Sequence, residues 1–236
     1  MKRILQGTLV AAAMFSFAGL RAQTADEIVN KYLDAIGGKD KLGQVKSLHT
    51  EGTVQVMGND NPSTTTILNG KGFRSESEFN GSKFIQVFTD KSGWTVNPMA
   101  GGNAEAMNDE QYKAGRNQIY VGGQLYDYAA RGNTLELQGK DGNNYKVKVT
   151  SADKTSATYY IDANTFLINK VVRTGEMQGQ AVEITISLSN YQKTDAGILY
   201  PFTTEMDFGG NFSMTLSVKK IEFNQEVNPS IFDMPK

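Results

Sequence analysis

The sequence contains no cysteine and a single histidine, His49. Without cysteine there can be no disulfide and no thiol nucleophile. One histidine excludes zinc sites built on two or three histidines, and a serine–histidine–acid triad would have to use His49. The sequence also lacks a G-x-S-x-G nucleophile elbow. Together these absences argue against the familiar hydrolytic and metal-dependent active sites.

An excess of positive charge is also missing. The sequence has 24 basic and 25 acidic residues and no basic run. Binding to nucleic acid or to an anionic membrane surface needs clustered lysine and arginine. We therefore expect no nucleic-acid partner.

The longest apolar run stands at the start of the chain. Lys2 and Arg3 precede "ILQGTLVAAAMFSFAGL", and "LRA" then offers a small residue at a cleavage position. This order is typical of a secretory signal peptide. We expect residues 1–22 to be removed and residues 23–236 to form a single, soluble, periplasmic domain. No cysteine follows the apolar core, so there is no site for lipid attachment.

The segment after the apolar run has the pattern of an amphipathic helix. Thr24 and Glu27 have the spacing of a capping box, and Gly37-Gly38 provides a stop. Apolar residues recur between these signals at helical spacing, at Ile28, Val29, Tyr32, Leu33 and Ile36.

From Leu48 onward the pattern is that of short strands and tight turns. Asn80-Gly81 is the strongest two-residue hairpin signal in the chain. Apolar and polar residues alternate cleanly in segments such as "YKVKVTS" and "VEITISLS", which favours a curved antiparallel sheet with one buried face.

The last strand changes phase. Met214, Leu216 and Val218 alternate in one phase, and Ile221 continues in the other. One extra residue would account for the change, so we predict a β-bulge near Lys219-Lys220.

One segment interrupts the strands. After Trp94, the only tryptophan, residues 98–131 begin with Pro98, and from Asn108 to Arg131 the pattern is helical, with the pair Gly122-Gly123 inside it. The glycine pair favours two short helices over one. The pattern as a whole predicts an α+β protein that is mainly antiparallel β.

Several segments resemble the LolA-like superfamily of periplasmic lipoprotein carriers and lipid-binding proteins. "NGKGFRSESEFNG" is similar to a family strand in which an aromatic residue and an arginine follow a turn. "YYIDANTFLINKVV" resembles a family hairpin, and "LSNYQKTDAGILYPFTTEM" and "VNPSIFDMP" resemble later segments. The resemblance covers almost the whole chain after residue 22.

The resemblance implies an incomplete, half-open β-barrel. An N-terminal helix and a central helical lid, from Pro98 to Arg131, would cover a hydrophobic cavity. It also implies a role for Arg74, since in the carriers an arginine on an early strand hydrogen-bonds the backbone of the lid. The alternative for Arg74 is an exposed strand arginine that pairs with Glu76 or Glu78.

Apolar residues on the strands and in the lid are candidates for the cavity wall, because apolar walls and adaptable methionine side chains suit acyl chains. The alternative is that they form ordinary core. Together with Arg74, the lipid-binding candidates are Phe73, Phe84, Val87, Phe88, Trp94, Met99, Leu125 and Tyr128.

Glu76 and Glu78 share a strand face, so they could serve as paired carboxylates in glycoside hydrolysis. Their alternation with Ser75 and Ser77 is more simply that of a solvated face. We therefore expect no enzymatic activity and no catalytic residue.

The resemblance favours a non-enzymatic carrier that holds a lipid, or the acyl chains of a lipoprotein, under the lid. Its partners would be membrane-associated donor and acceptor proteins, and we expect a monomer without a cofactor or a metal. The alternative is an interaction or sensory domain of the same fold, whose core is filled and whose partners are polypeptides.

Overall fold

The structure, a computed structural model, describes residues 23–177, 180–210 and 212–235. The expected signal peptide, residues 1–22, lies outside the described residues. In the part of the chain that is described, no helix is both long and apolar enough to cross a membrane.

Within these ranges the helices are few and short. Helix α1 spans Ala25–Ala35, α2 spans Lys39–Gly43 and α3 spans Asp109–Gly115. The predicted capping box of α1 is confirmed, because Thr24 and Glu27 each bind the other's backbone N–H. Three short 3₁₀ helices span Pro98–Ala100, Arg116–Ile119 and Pro229–Phe232.

The described residues form thirteen strands of one antiparallel sheet. Their bounds are β1 Ser47–Val56, β2 Asn59–Leu68, β3 Gly72–Phe79, β4 Ser82–Thr89, β5 Gly93–Val96, β6 Ala104–Ala106, β7 Thr134–Asp141, β8 Asn144–Thr150, β9 Ser156–Asp162, β10 Ile168–Met177, β11 Gln180–Lys193, β12 Leu199–Phe208 and β13 Ser213–Phe223.

The order of the strands explains the interruption between them. The sheet runs β6-β5-β4-β3-β2-β1-β13-β12-β11-β10-β9-β8-β7, so strands β6 and β7, which follow each other in sequence, lie at opposite edges. The chain between them, residues 107–133, must therefore cross a face of the sheet. We call residues 107–133 the crossing segment. It contains α3, the 3₁₀ helix at Arg116–Ile119 and a series of turns in place of a second α-helix.

The crossing segment and α1 pack on the same face, which we call the inner face. One cluster joins α1 to strands β8 to β10, and another joins the crossing segment to β1 to β4. The sheet is not closed, and α1 and the crossing segment cover its inner face. The expected architecture, a mainly antiparallel half-barrel with an N-terminal helix and a central helical segment, is confirmed.

Two local predictions are also confirmed. Asn80 and Gly81, both with positive φ, form the two-residue turn between β3 and β4. The register of β13 against β1 skips Lys219, so this residue is the extra one of a bulge.

Candidate ligand-binding site

The crossing segment packs directly on one half of the inner face. The aromatic rings of Phe73 and Phe88 lie 6.1 Å apart, centroid to centroid, and Tyr112 lies 6.5 Å from Phe88. Gly115 lies against Phe88 so closely that an added Cβ would collide with the ring. Ile119 completes this cluster together with Leu48 and Ile67. Side chains of the chain itself therefore fill this half of the face.

Backbone hydrogen bonds hold the crossing segment to the turn between β2 and β3. Gly70 donates its N–H to the carbonyl of Ile119 at 2.8 Å, and Val121 donates to the side-chain oxygen of Asn69 at 3.1 Å. At the other end of the cluster, the Tyr112 hydroxyl donates to the carbonyl of Thr89 at 3.0 Å. Any opening of this segment must break these contacts.

Helix α1 fills the other half of the inner face. Leu125 is buried in its cluster together with residues of α1 and of strands β8 and β9. Tyr128 packs against the same cluster, and its hydroxyl donates to the carboxylate of Asp26 in α1. The two candidates from the crossing segment, Leu125 and Tyr128, thus fasten it to the first helix.

Between the two clusters lies a strip of apolar side chains on strands β12 and β13. In register, Met206 lies opposite Met214, and Thr204 lies opposite Leu216. The apolar members of the strip are half-buried and belong to neither cluster. We call this strip the trough: Phe202, Met206, Met214, Leu216 and Val218.

The same two strands are polar on their other face. Thr203, Glu205, Thr215 and Ser217 alternate with the residues of the trough. Because neighbouring residues of a strand point to opposite faces, apolar residues collect on the inner face alone. The trough is therefore a half-buried apolar surface flanked by two filled clusters.

Three of the predicted site residues lie on the outer face. Val87 is 0% exposed and Trp94 is 3% exposed, and both pack against Phe232 of the C-terminal 3₁₀ helix. Arg74 donates to the carbonyl of Ile231 at 2.7 Å, pairs with Glu76, and lies 5.5 Å from the centroid of the Trp94 ring.

The expected hydrogen bonds from Arg74 to the lid are not found among the described residues. Arg74 holds the C-terminal segment instead. The reason is the alternation of strand residues: Phe73 points to the inner face, so Arg74 must leave the sheet on the outer one. Val87 and Phe88 are separated in the same way.

The remaining two candidates are exposed to solvent. Phe84 is 39% exposed, and Met99, in the 3₁₀ helix at Pro98–Ala100, is 86% exposed. Neither belongs to a packed cluster of the described residues.

Two clefts on the outer side of the sheet are lined by polar residues. One has a volume of about 260 Å³ and the other about 380 Å³. The larger lies beside the C-terminal segment, and its lining includes His49, Arg74, Glu76 and Asp233. Glu76 is engaged by both Arg74 and Lys83, so it belongs to an ion-pair network. No group of three His, Asp or Glu side chains that could hold a metal ion occurs in the described ranges.

Two arginines act electrostatically on Tyr159 of the inner face: Arg173 lies on β10, and Arg131 lies in the crossing segment. Burial raises the pKa of the Tyr159 phenol, and the guanidinium groups of Arg173 and Arg131 oppose that rise. Burial also lowers the pKa of both arginines. The Tyr159 hydroxyl donates to the side-chain oxygen of Gln124 at 3.0 Å.

Sequence reasoning did not find these two arginines. Arg74 pairs with its near neighbour Glu76, a partner that the sequence already suggested, whereas Arg116 pairs with Asp153, which is distant in sequence. No local pattern of this kind marks Arg131 or Arg173.

Three solved structures share this architecture over nearly their whole length. A LolA superfamily protein from Nitrosomonas europaea has a TM-score of 0.59 and 11% identity, covering 90% of this chain and 98% of its own. A DUF1329 family protein from Desulfovibrio piger has a TM-score of 0.57 and 13% identity, covering 90% and 98%. The chain has a LolA-like fold.

A third structure, a domain named for outer membrane lipoprotein sorting in Vibrio parahaemolyticus, has a TM-score of 0.55 at 13% identity, covering 89% of this chain and 96% of its own. No family model and no curated protein matches the chain. At these identities the likeness concerns the fold. Within the LolA-like fold of this chain, the trough is an apolar surface that the two clusters leave half-buried.

Proposed function

We propose that the chain is an exported, non-enzymatic LolA-like carrier that holds the acyl chains of a lipid or lipoprotein on its inner face. The observation that carries this proposal is the trough, a half-buried apolar strip between two filled clusters. In this proposal residues 1–22 direct export and residues 23–236 form one domain.

The chemistry of the trough suits an acyl chain. Its five members carry no charge, and two of them, Met206 and Met214, have flexible side chains that adapt to varied shapes. From Met214 to Val218 the strip runs about 13 Å along the strand, at roughly 3.3 Å per residue. Each CH₂ group removed from water contributes about 0.8 kcal/mol, so partial enclosure of a chain gives useful affinity.

The crossing segment would control access. It lies over the inner face and is fastened at the Gly70–Ile119 hydrogen bond, at the Phe88–Tyr112 contact and at Tyr128. Partial release of these contacts would widen the trough and admit a chain, and their return would enclose it. Arg74 has a supporting role, since it fixes the C-terminal segment on the opposite face.

The partners would be a membrane-associated donor and a membrane-associated acceptor. The chain itself would work as a monomer, without cofactor or nucleic acid. Transfer needs no covalent step: the trough shields the acyl chain from water between donor and acceptor, and the relative affinities of the three proteins set the direction.

A second candidate function is the binding of a polypeptide. It is favoured by the way in which α1 and the crossing segment fill both halves of the inner face with side chains of the chain itself. An apolar peptide segment could then lie on the trough in place of an acyl chain.

Native mass spectrometry of gently purified protein, followed by organic extraction, tests the proposal first. Binding of a fluorescent fatty acid is then compared in Leu216→Asn and Ser217→Asn, two neighbours on β13 that face opposite sides. We expect about tenfold weaker binding for Leu216→Asn, because a polar amide replaces an apolar contact, and no change for Ser217→Asn. A bare protein that takes up no fatty acid would refute the carrier proposal, and capture of an apolar peptide would then favour the second candidate.

A further inference from the structure

The four arginines of the described residues form two groups, one with a carboxylate partner and one without. Arg74 and Arg116 each form a salt bridge with a carboxylate. Among the salt bridges of the described residues, none includes Arg131 or Arg173. Both of these side chains are half-buried, and this partial burial lowers the pKa of each guanidinium group.

Arg173 lies beside the trough. On the inner face it stands opposite Ile184 of β11, which stands opposite Phe208 of β12. Since neighbouring strands lie about 4.8 Å apart, Arg173 is about 10 Å from Phe208 across the sheet. The next inner position on β12 is Met206, a member of the trough. The inner-face residues in register with Arg173 therefore lie next to one end of the trough.

Most of the donor capacity of Arg173 is unused within the described residues. Its one hydrogen bond there, from Nη1 to the carbonyl of Ala114 at the end of α3, is long at 3.5 Å. A guanidinium group carries five N–H donors in a planar fork that matches carboxylate and phosphate oxygens.

Arg131 reaches the same region from the crossing segment. Its Nη2 donates to the carbonyls of Gly123 and Tyr126, and its guanidinium lies 4.2 Å from the centroid of the Tyr120 ring. Its Nε and Nη1 are buried and have no hydrogen-bond partner among the described residues. Asp127 acts on it electrostatically but forms no salt bridge with it.

Tyr159 lies close to both cations. Its hydroxyl donates to Gln124, the neighbour of the Gly123 that accepts from Arg131, and on the inner face Tyr159 is the diagonal neighbour of Arg173 across β9 and β10. Both guanidinium groups act on its phenol, and its side chain lies between β8 and β10 on the inner face. Partial removal of a cation from water is costly when no anion pairs with it, and the buried Nε and Nη1 of Arg131 add the cost of donors without acceptors. An anion placed between the two arginines would relieve both costs.

We propose that Arg173 and Arg131 bind the anionic head group, a carboxylate or a phosphate, of an amphiphile whose chain lies in the trough. This inference rests on the proposed function and adds that one end of the ligand carries a negative charge. Entry of the head group requires a small displacement of the crossing segment, which carries Arg131 itself. The apolar strip and the two cations then bind the two ends of one molecule.

Isothermal titration of the whole protein tests the inference with dodecanoate, dodecyl phosphate and dodecanol, which share one chain and differ in head group. We expect the two anions to bind about tenfold or more tightly than dodecanol, as charge-assisted hydrogen bonds imply. Arg173→Gln should abolish that difference and leave dodecanol binding unchanged. Lys170→Gln, which removes a cation from the outer face of the same strand, should preserve it.

Each outcome has a distinct meaning. Equal binding of all three probes would overturn the head-group inference and leave the carrier proposal intact. No binding of any probe would refute both. Inorganic phosphate that binds as tightly as dodecyl phosphate would show an anion site unconnected with the trough, and would also overturn the inference. If Arg173→Gln fails to fold, Arg173→Lys keeps the charge without the fork and should retain only part of the preference for anions.

Discussion

Trp94 donates its indole N–H to the backbone carbonyl of Phe232 at 2.8 Å, across 138 residues of sequence. The bond joins β5, near one edge of the sheet, to the last 3₁₀ helix of the described chain. Arg74 adds a second bond to the same helix, at the carbonyl of Ile231. The tryptophan that introduces the interruption of the strands thus anchors the C-terminal segment on the outer face, away from the trough.

Replacing Trp94 with phenylalanine should destabilise the fold by about 1–3 kcal/mol. Phenylalanine keeps an apolar ring but leaves the buried carbonyl of Phe232 without a donor. Urea unfolding followed by far-UV circular dichroism measures the change, since the variant has no tryptophan. Phe84→Leu, at an exposed site, is the control and should change stability by less than about 0.5 kcal/mol. Equal unfolding midpoints for the wild type and Trp94→Phe would contradict the prediction.

Gly72→Ala should destabilise the protein only while Phe232 is present. A Cβ at position 72 would lie 2.6 Å from Cγ of the Phe232 ring, in a site that is already filled. Overpacking of this kind costs about 1–3 kcal/mol. A double-mutant cycle with Phe232→Ala measures the coupling: the cost of Gly72→Ala should largely vanish in that background. Additive losses would show that Gly72 is needed for some other reason.

Gly115→Ala should loosen the crossing segment. The added Cβ would collide with the ring of Phe88, so α3 must move away from the inner face. Hydrogen exchange of residues 109–121 should become about tenfold faster or more, which corresponds to about 1.4 kcal/mol or more. Lys113→Ala, on the exposed side of α3, should leave the exchange of the segment nearly unchanged. Wild-type protection in Gly115→Ala would contradict the close packing of segment and sheet.

Asp162 should make stability depend on pH. Its carboxylate accepts hydrogen bonds from the backbone N–H groups of Thr165 and Asn164 and from the side chain of Asn143. The Thr165 bond contributes most to lowering the pKa of Asp162, and burial opposes it. Because the pKa is lower in the folded state, the stabilisation is present above the unfolded-state value of about 3.9 and is lost as pH falls through the folded-state pKa.

Asp162→Asn tests this dependence, since asparagine keeps an acceptor without the charge. We expect it to be less stable than the wild type at pH 7, by less than about 1 kcal/mol because the group is exposed. Urea midpoints measured from pH 7 down to pH 2 should converge for the two proteins as Asp162 becomes protonated. A difference that stays constant over this range would show that the charge contributes nothing.

Local features of this protein could be predicted from sequence because short-range interactions produce them. The Thr24–Glu27 capping box, the Asn80-Gly81 turn and the bulge at Lys219 each depend on a few neighbouring residues. The half-barrel class followed from strand patterns and from the resemblance of several segments to the LolA-like superfamily.

The assignment of side chains to faces was harder. Phe73 and Arg74, or Val87 and Phe88, cannot share one face of a strand, yet all four were candidates for one site. A cluster of aromatic and apolar residues in sequence does not reveal which phase of the alternation points inward. That phase is settled by what packs on each side of the sheet.

The sequence by itself determined the strands, their turns, the first helix and the place where the strands are interrupted. The tertiary structure alone shows that the interruption crosses the inner face, that Trp94 and Arg74 hold the C-terminal segment, and that Arg131 and Arg173 lie near Tyr159 without a salt bridge among the described residues. The reason is the separation in sequence between the residues that interact. Capping and turn signals act over two to four residues, whereas these contacts join residues far apart in the chain and exist only once the whole sheet has assembled.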